Sequence, residues 1–96
     1  MKKDVSQIIK MIKPVLTRYG IHSASIVGSM AYGNNTDESD IDLVVEIDHP
    51  MSLLTFSALK IELEELLQKR VDLLERSAIK HRLRQSILAK EIIVTG

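Results

Sequence analysis

Cysteine and tryptophan are absent from this 96-residue chain, and its aromatic residues are two tyrosines and one phenylalanine. Without cysteine the fold cannot rely on disulfides, which fits a reducing cytoplasm. So few aromatics cannot build a base-stacking platform, and we therefore expect no direct nucleic-acid binding. No apolar run approaches the roughly 18 residues of a membrane span, and the N-terminus lacks the apolar region of a secretory signal. The sequence predicts a cytoplasmic protein without membrane attachment.

Charge is balanced overall but unevenly distributed along the chain. Thirteen basic and thirteen acidic residues give a net charge of zero. Residues 21–50 contain no Lys or Arg, whereas residues 1–20 and 71–96 carry a basic excess. An acidic middle suits a cation site, and basic flanks could meet phosphates or an acidic partner. Plain solvated faces would give the same pattern. The six acidic residues of the middle segment are Asp37, Glu38, Asp40, Asp42, Glu46 and Asp48.

The size and the spacing of apolar residues indicate one small domain covering residues 1–96. Helical spacing predicts a first helix, capped by Asp4 or Ser6 and stopped at Gly20, with a kink or break at Pro14. The order helix, strand, strand, helix, strand, helix, strand predicts an α/β (α+β) fold, a small mixed β-sheet with helices packed against it. The other expected segments are strands at 23–27, 41–47, 71–74 and 92–94, a helix beginning at Ser52 or Thr55, and a basic helix at 79–89.

Two carboxylates, Asp40 and Asp42, open the second predicted strand. Because strand residues two apart point to the same side, the two share a face, while Ile41 and Leu43 turn to the opposite one. Neighbouring carboxylates repel each other unless a cation or a donor lies between them, and Mg²⁺ prefers such oxygen ligands. A solvated pair of aspartates at the entrance of a strand is the other interpretation.

A third carboxylate, Asp72, stands inside the apolar run of the third predicted strand. If this strand pairs beside the second, Asp72 joins Asp40 and Asp42, and three carboxylates are enough to hold two metal ions. Asp72 on an edge strand facing water is the alternative. Scattered His22, His49 and His81 have no ligand spacing, so we do not expect them at the site.

Gly28 and Ser29 precede the aspartates in the spacing G-S-x(10)-D-x-D. Glycine allows the backbone to approach a phosphate closely, and free N–H groups with the serine hydroxyl could bind it. Asn34 and Asn35 stand where a P-loop requires Lys followed by Ser or Thr, which excludes that motif. A Gly-Ser pair by itself is more often only a turn.

These residues together resemble the minimal nucleotidyltransferase family of the DNA polymerase β superfamily. The resemblance covers nearly the whole chain and implies the nucleotidyltransferase fold. It also implies that Asp40, Asp42 and Asp72 are the catalytic and metal-binding carboxylates, with two Mg²⁺ ions as cofactors. Gly28 and Ser29 would then contact the phosphates of ATP or another nucleoside triphosphate.

The sequence departs from the family pattern beside the Gly-Ser pair. Many relatives have arginine at one or both variable positions of G-S-x-A-x-G, where this chain has Met30 and Tyr32. The loss of those cations would weaken triphosphate binding and puts activity in question. Basic residues elsewhere, Arg82 or Arg84 among them, could compensate.

The resemblance implies a metal-dependent nucleotidyltransferase that moves a nucleoside monophosphate, AMP from ATP, to a hydroxyl of a partner protein. Family members commonly pair with a HEPN-type toxin, so an antitoxin role in a toxin–antitoxin system is expected. Two alternatives stay open. One is a non-catalytic antitoxin that masks its partner, and the other is a transferase acting on a small molecule.

Overall fold

The computed structural model describes residues 5–27, 40–79 and 92–94. The order of its elements agrees with the predicted order as far as the third strand, and a final strand follows. Beyond Ile79, the predicted basic helix at 79–89 lies outside the described residues. The elements are α1 (Val5–Arg18), β1 (Ser23–Val27), β2 (Ile41–Glu46), α2 (Leu53–Leu67), β3 (Val71–Glu75), a 3₁₀ helix (Arg76–Ala78) and β4 (Ile92–Ile93).

The strands form a four-stranded mixed sheet in the order β3-β2-β1-β4 within the described part of the chain. β1 pairs antiparallel with both β2 and β4, whereas β2 and β3 run parallel. The α2 helix makes the connection between the two parallel strands, as such a crossover requires. The predicted small mixed sheet with helices against it is therefore confirmed. None of the described helices is long and apolar enough to cross a bilayer.

The sheet has one face buried under the helices. From β2, Ile41, Leu43 and Val45 point into this core, so the predicted alternation about Asp42 is confirmed. The opposite face carries a smaller apolar cluster of Val27, Val44 and Ile79. From the helices, the core receives Ile8, Ile12, Val15 and Leu16 of α1 and Leu59, Leu63 and Leu67 of α2.

A kink or a break was expected at Pro14; helix α1 runs without interruption through this residue, so a break is wrong. Pro14 is exposed, and the buried stripe continues on both sides of it, which holds the helix together despite one missing hydrogen bond. Gly20 stops the helix as predicted: it lies two residues beyond Arg18, and its φ is 75°. The Gly20 N–H donates to the Thr17 carbonyl at 3.0 Å and the Ile21 N–H to the Leu16 carbonyl at 2.9 Å, which is a Schellman cap.

Helix α2 begins at the predicted cap and delivers the chain to β3. Ser52 is its N-cap, accepting a hydrogen bond at 3.0 Å from the Thr55 N–H. At the other end Gln68 adopts the left-handed conformation with φ of 55°. The Glu64 carboxylate then accepts the Val71 N–H at 3.0 Å. The end of α2 therefore holds the start of β3 in place.

Candidate active site

The parallel register of β2 and β3 places Asp42 directly beside Asp72. Neighbouring strands lie about 4.8 Å apart, so the two carboxylates are close neighbours. Ile41 pairs with Val71 and Leu43 with Leu73, and these residues belong to the helix-covered core. Asp42 and Asp72 therefore share the opposite face, as the sequence predicted for a third strand pairing beside the second.

Electrostatic repulsion is concentrated on Asp42. Its side chain is half-buried, whereas Asp40 and Asp72 are exposed. Burial raises the pKa of Asp42, and the negative charges of Asp72 and then of Asp40 raise it further. Each of these effects makes the ionised carboxylate unfavourable in the folded chain. A nearby cation would remove that penalty.

Asp40, immediately before β2, meets a basic residue that sequence reasoning did not place at the site. The Arg70 Nε lies 3.6 Å from the Asp40 Oδ1. The Ile41 N–H also donates to the Arg70 carbonyl at 3.0 Å. Arg70 stands immediately before β3 as Asp40 stands before β2, so the parallel register brings the two together. The sequence held one signal for this contact: Arg70 and Asp40 each stand immediately before one of the two parallel strands.

The three aspartates suit a hard divalent ion by the chemistry of their oxygens. Within residues 5–27, 40–79 and 92–94, however, the side chains as placed do not gather three His, Cys, Asp or Glu residues into a metal-holding group. Asp40 is instead paired with Arg70. The carboxylate oxygens thus fit Mg²⁺. For Asp40 to bind the ion, its contact with the Arg70 guanidinium would have to break.

The predicted phosphate-binding residues, Gly28 and Ser29, lie outside the described residues, as do Met30 and Tyr32. Their roles stay predictions. The strand that leads to them is described, and its last residue, Val27, pairs with Asp42. The chain therefore leaves β1 beside the aspartates.

Comparison with known proteins decides the family. The sequence profile described as "Nucleotidyltransferase domain" matches residues 8–94. The chain belongs to this family. The match includes both strands that carry the aspartates, and the resemblance drawn from the G-S-x(10)-D-x-D spacing is confirmed.

Relatives of this nucleotidyltransferase domain include archaeal proteins named for protein adenylylation. The "Putative protein adenylyltransferase MJ0435" of Methanocaldococcus jannaschii is 40% identical over 91 residues, 95% of this chain and 98% of that protein. "Protein adenylyltransferase MntA" of Thermococcus cleftensis is 33% identical over 82 residues, 85% of this chain and 83% of that protein.

The fold also matches a chain of a solved toxin–antitoxin complex. That structure is described as a tri-AMPylated HEPN toxin of Shewanella oneidensis in complex with MNT antitoxin. The match has a TM-score of 0.74 at 18% identity and covers 95% of this chain and 71% of that one. At this identity the likeness shows the fold alone.

Proposed function

We propose that this nucleotidyltransferase domain transfers AMP from ATP to a hydroxyl group of a HEPN-type toxin and acts as its antitoxin. The observation that carries the proposal is the pairing of Asp42 with Asp72 on the sheet face away from the core. The names of the relatives, protein adenylyltransferases, support ATP as the nucleotide. The solved complex with an AMPylated HEPN toxin, one chain of which has this fold, supports a toxin as the acceptor.

In this proposal Asp40, Asp42 and Asp72 hold two Mg²⁺ ions. When bound, the ions would neutralise the triphosphate and lower the pKa of the acceptor hydroxyl. The raised pKa of Asp42, caused by burial and by its two acidic neighbours, supports a cation at this position. A half-buried carboxylate beside two other carboxylates is poorly placed for a purely structural role.

The residues of the chain would orient the two reactants. The backbone at Gly28 and the hydroxyl of Ser29 would hold the phosphates so that attack on the α-phosphorus is in line. The acceptor oxygen forms a bond to the α-phosphorus, the bond from that phosphorus to the bridging oxygen breaks, and pyrophosphate leaves. Asp72 would take the proton of the acceptor hydroxyl.

Transfer of radioactive label tests this function. The purified chain is incubated with Mg²⁺, a HEPN-type protein and ATP labelled at either the α- or the γ-phosphate. AMP transfer predicts label on the partner from α-labelled ATP only. Asp40→Asn and Asp72→Asn should each lower the rate about a hundredfold or more, because each removes a carboxylate from the metal site.

Asp48→Asn is the matched control. Asp48 lies beyond the other end of β2, is exposed, and pairs with His49 at 3.1 Å, so its loss should leave transfer unchanged. Label from γ-labelled ATP would instead indicate phosphorylation. Neutralisation of the partner's toxicity without any label, unaffected by Asp40→Asn, would contradict transfer and favour a masking antitoxin.

A further inference from the structure

We propose that Arg70 is an exchangeable cation of this site: it pairs with Asp40 before ligands bind and contacts the triphosphate once they are bound. The inference rests on the proposed function, because it assumes a metal–nucleotide complex at the aspartates. It adds a phosphate-binding residue, immediately before β3, to the predicted contacts at Gly28 and Ser29.

Hydrogen bonds hold the backbone at Arg70, whereas its side chain lies in solvent. The Arg70 carbonyl accepts the Ile41 N–H at 3.0 Å, and the next residue, Val71, donates its N–H to Glu64 at 3.0 Å. The Arg70 side chain is nevertheless 85% exposed. The guanidinium can therefore reorient about a fixed base without any change in the sheet.

The contact with Asp40 is weak enough to be exchanged. At 3.6 Å, with side chains 85% and 49% exposed, it is a solvated ion pair. Such pairs contribute little to stability, because water screens them and ordering two long side chains costs entropy. A metal ion binding Asp40 would displace the guanidinium and leave it beside the ligand.

The charges of the site call for a cation from outside the acidic segment. A triphosphate adds several negative charges to three aspartates, and residues 21–50 contain no Lys or Arg. Arg70 comes from a distant part of the sequence and already touches the first aspartate. Its planar fork of donors matches phosphate oxygens and can bind them in a bidentate way.

Binding affinities measured by calorimetry test both proposed contacts of Arg70, the one with Asp40 and the one with the triphosphate. The full chain is first titrated with Mn²⁺ alone. It is then titrated, in excess Mg²⁺, with the α,β-methylene analogue of ATP, because this analogue cannot release AMP. Arg70→Ala should bind Mn²⁺ about two- to fivefold more tightly, because a competing positive charge is gone. The same variant should bind the analogue about tenfold more weakly, because a charged hydrogen bond is lost. Arg70→Lys should restore part of the second affinity.

Arg18→Ala is the matched control. It also removes an exposed arginine–carboxylate pair, with Glu62 on α2, but leaves the aspartates untouched. Both affinities should stay unchanged. A variant whose circular-dichroism melt shifts by more than that of Arg18→Ala is not used.

Opposite shifts for the two ligands support the inference, since a merely structural loss would weaken both. Shifts in the same direction, or none, overturn it. If the shifts are opposite but the wild-type chain transfers no AMP, the proposed transfer fails while the role of Arg70 in binding holds. If AMP is transferred and Arg70→Ala binds both ligands like wild type, only the inference about Arg70 is lost.

Discussion

At the scale of single residues, Asp42 makes the stability of the fold depend on pH. Its pKa is raised by burial and by the charges of Asp72 and Asp40. The folded chain therefore holds this proton more tightly than the unfolded chain. The resulting stabilisation is fully present below the ordinary pKa of 3.8 and is lost as pH rises through the raised value. At neutral pH the ionised side chain destabilises the metal-free fold.

We expect Asp42→Asn to stabilise the metal-free chain at pH 7 by about 0.5–1 kcal/mol, as is common when a strained functional group is removed. Urea denaturation at pH 7 and again near pH 3 measures the effect, and the gain should vanish at the acidic pH. Asp48→Asn is the control, because the hydrogen bond from His49 lowers the pKa of Asp48. An equal gain in both variants would contradict the repulsion described at Asp42.

At the scale of elements, the cap of α1 depends on the glycine that ends it. We expect Gly20→Ala to destabilise the fold by about 1–2 kcal/mol, because a side chain disfavours positive φ. A Cβ at Gly20 would also lie 3.0 Å from the His49 Cε1. Gly20→Asn should cost less, since asparagine tolerates this conformation. Thermal denaturation checks that Gly20→Ala is less stable than Gly20→Asn. If the double variant Gly20→Ala/His49→Ala loses as much stability as Gly20→Ala, backbone strain dominates over the contact with His49.

Elements with a strong local pattern, and the pairing of the third strand beside the second, could be predicted from the sequence, whereas the contact between Arg70 and Asp40 could not. β1 has the predicted bounds, and β2 and β3 differ from prediction by one residue each, because apolar alternation and turn residues mark them. The break at Pro14 was wrong because tertiary packing outweighs one lost hydrogen bond. The Arg70–Asp40 pair depends on the register between strands 30 residues apart in the chain, which no local pattern encodes.

At the scale of the whole molecule, stability depends on one helix-covered face of the sheet. Leu63 is fully buried in α2, whereas Leu54 on the same helix is 82% exposed. We expect Leu63→Ala to cost about 2–5 kcal/mol, because the substitution leaves a cavity. Leu54→Ala should cost less than about 0.5 kcal/mol. Urea denaturation of both variants measures the difference, and similar losses would contradict the arrangement of the core.

The helix-covered face of the sheet also decides how two repelling carboxylates can stay side by side. A slip of β3 along β2 by a single position would turn Asp72 inward and bring Leu73 out into water, because side chains alternate across a strand. Burying an ionised group costs far more than the mutual repulsion of Asp42 and Asp72 at a solvated face. The apolar residues on the helix-covered face thus fix the register of β2 and β3. This register keeps Asp42 and Asp72 side by side on the opposite face.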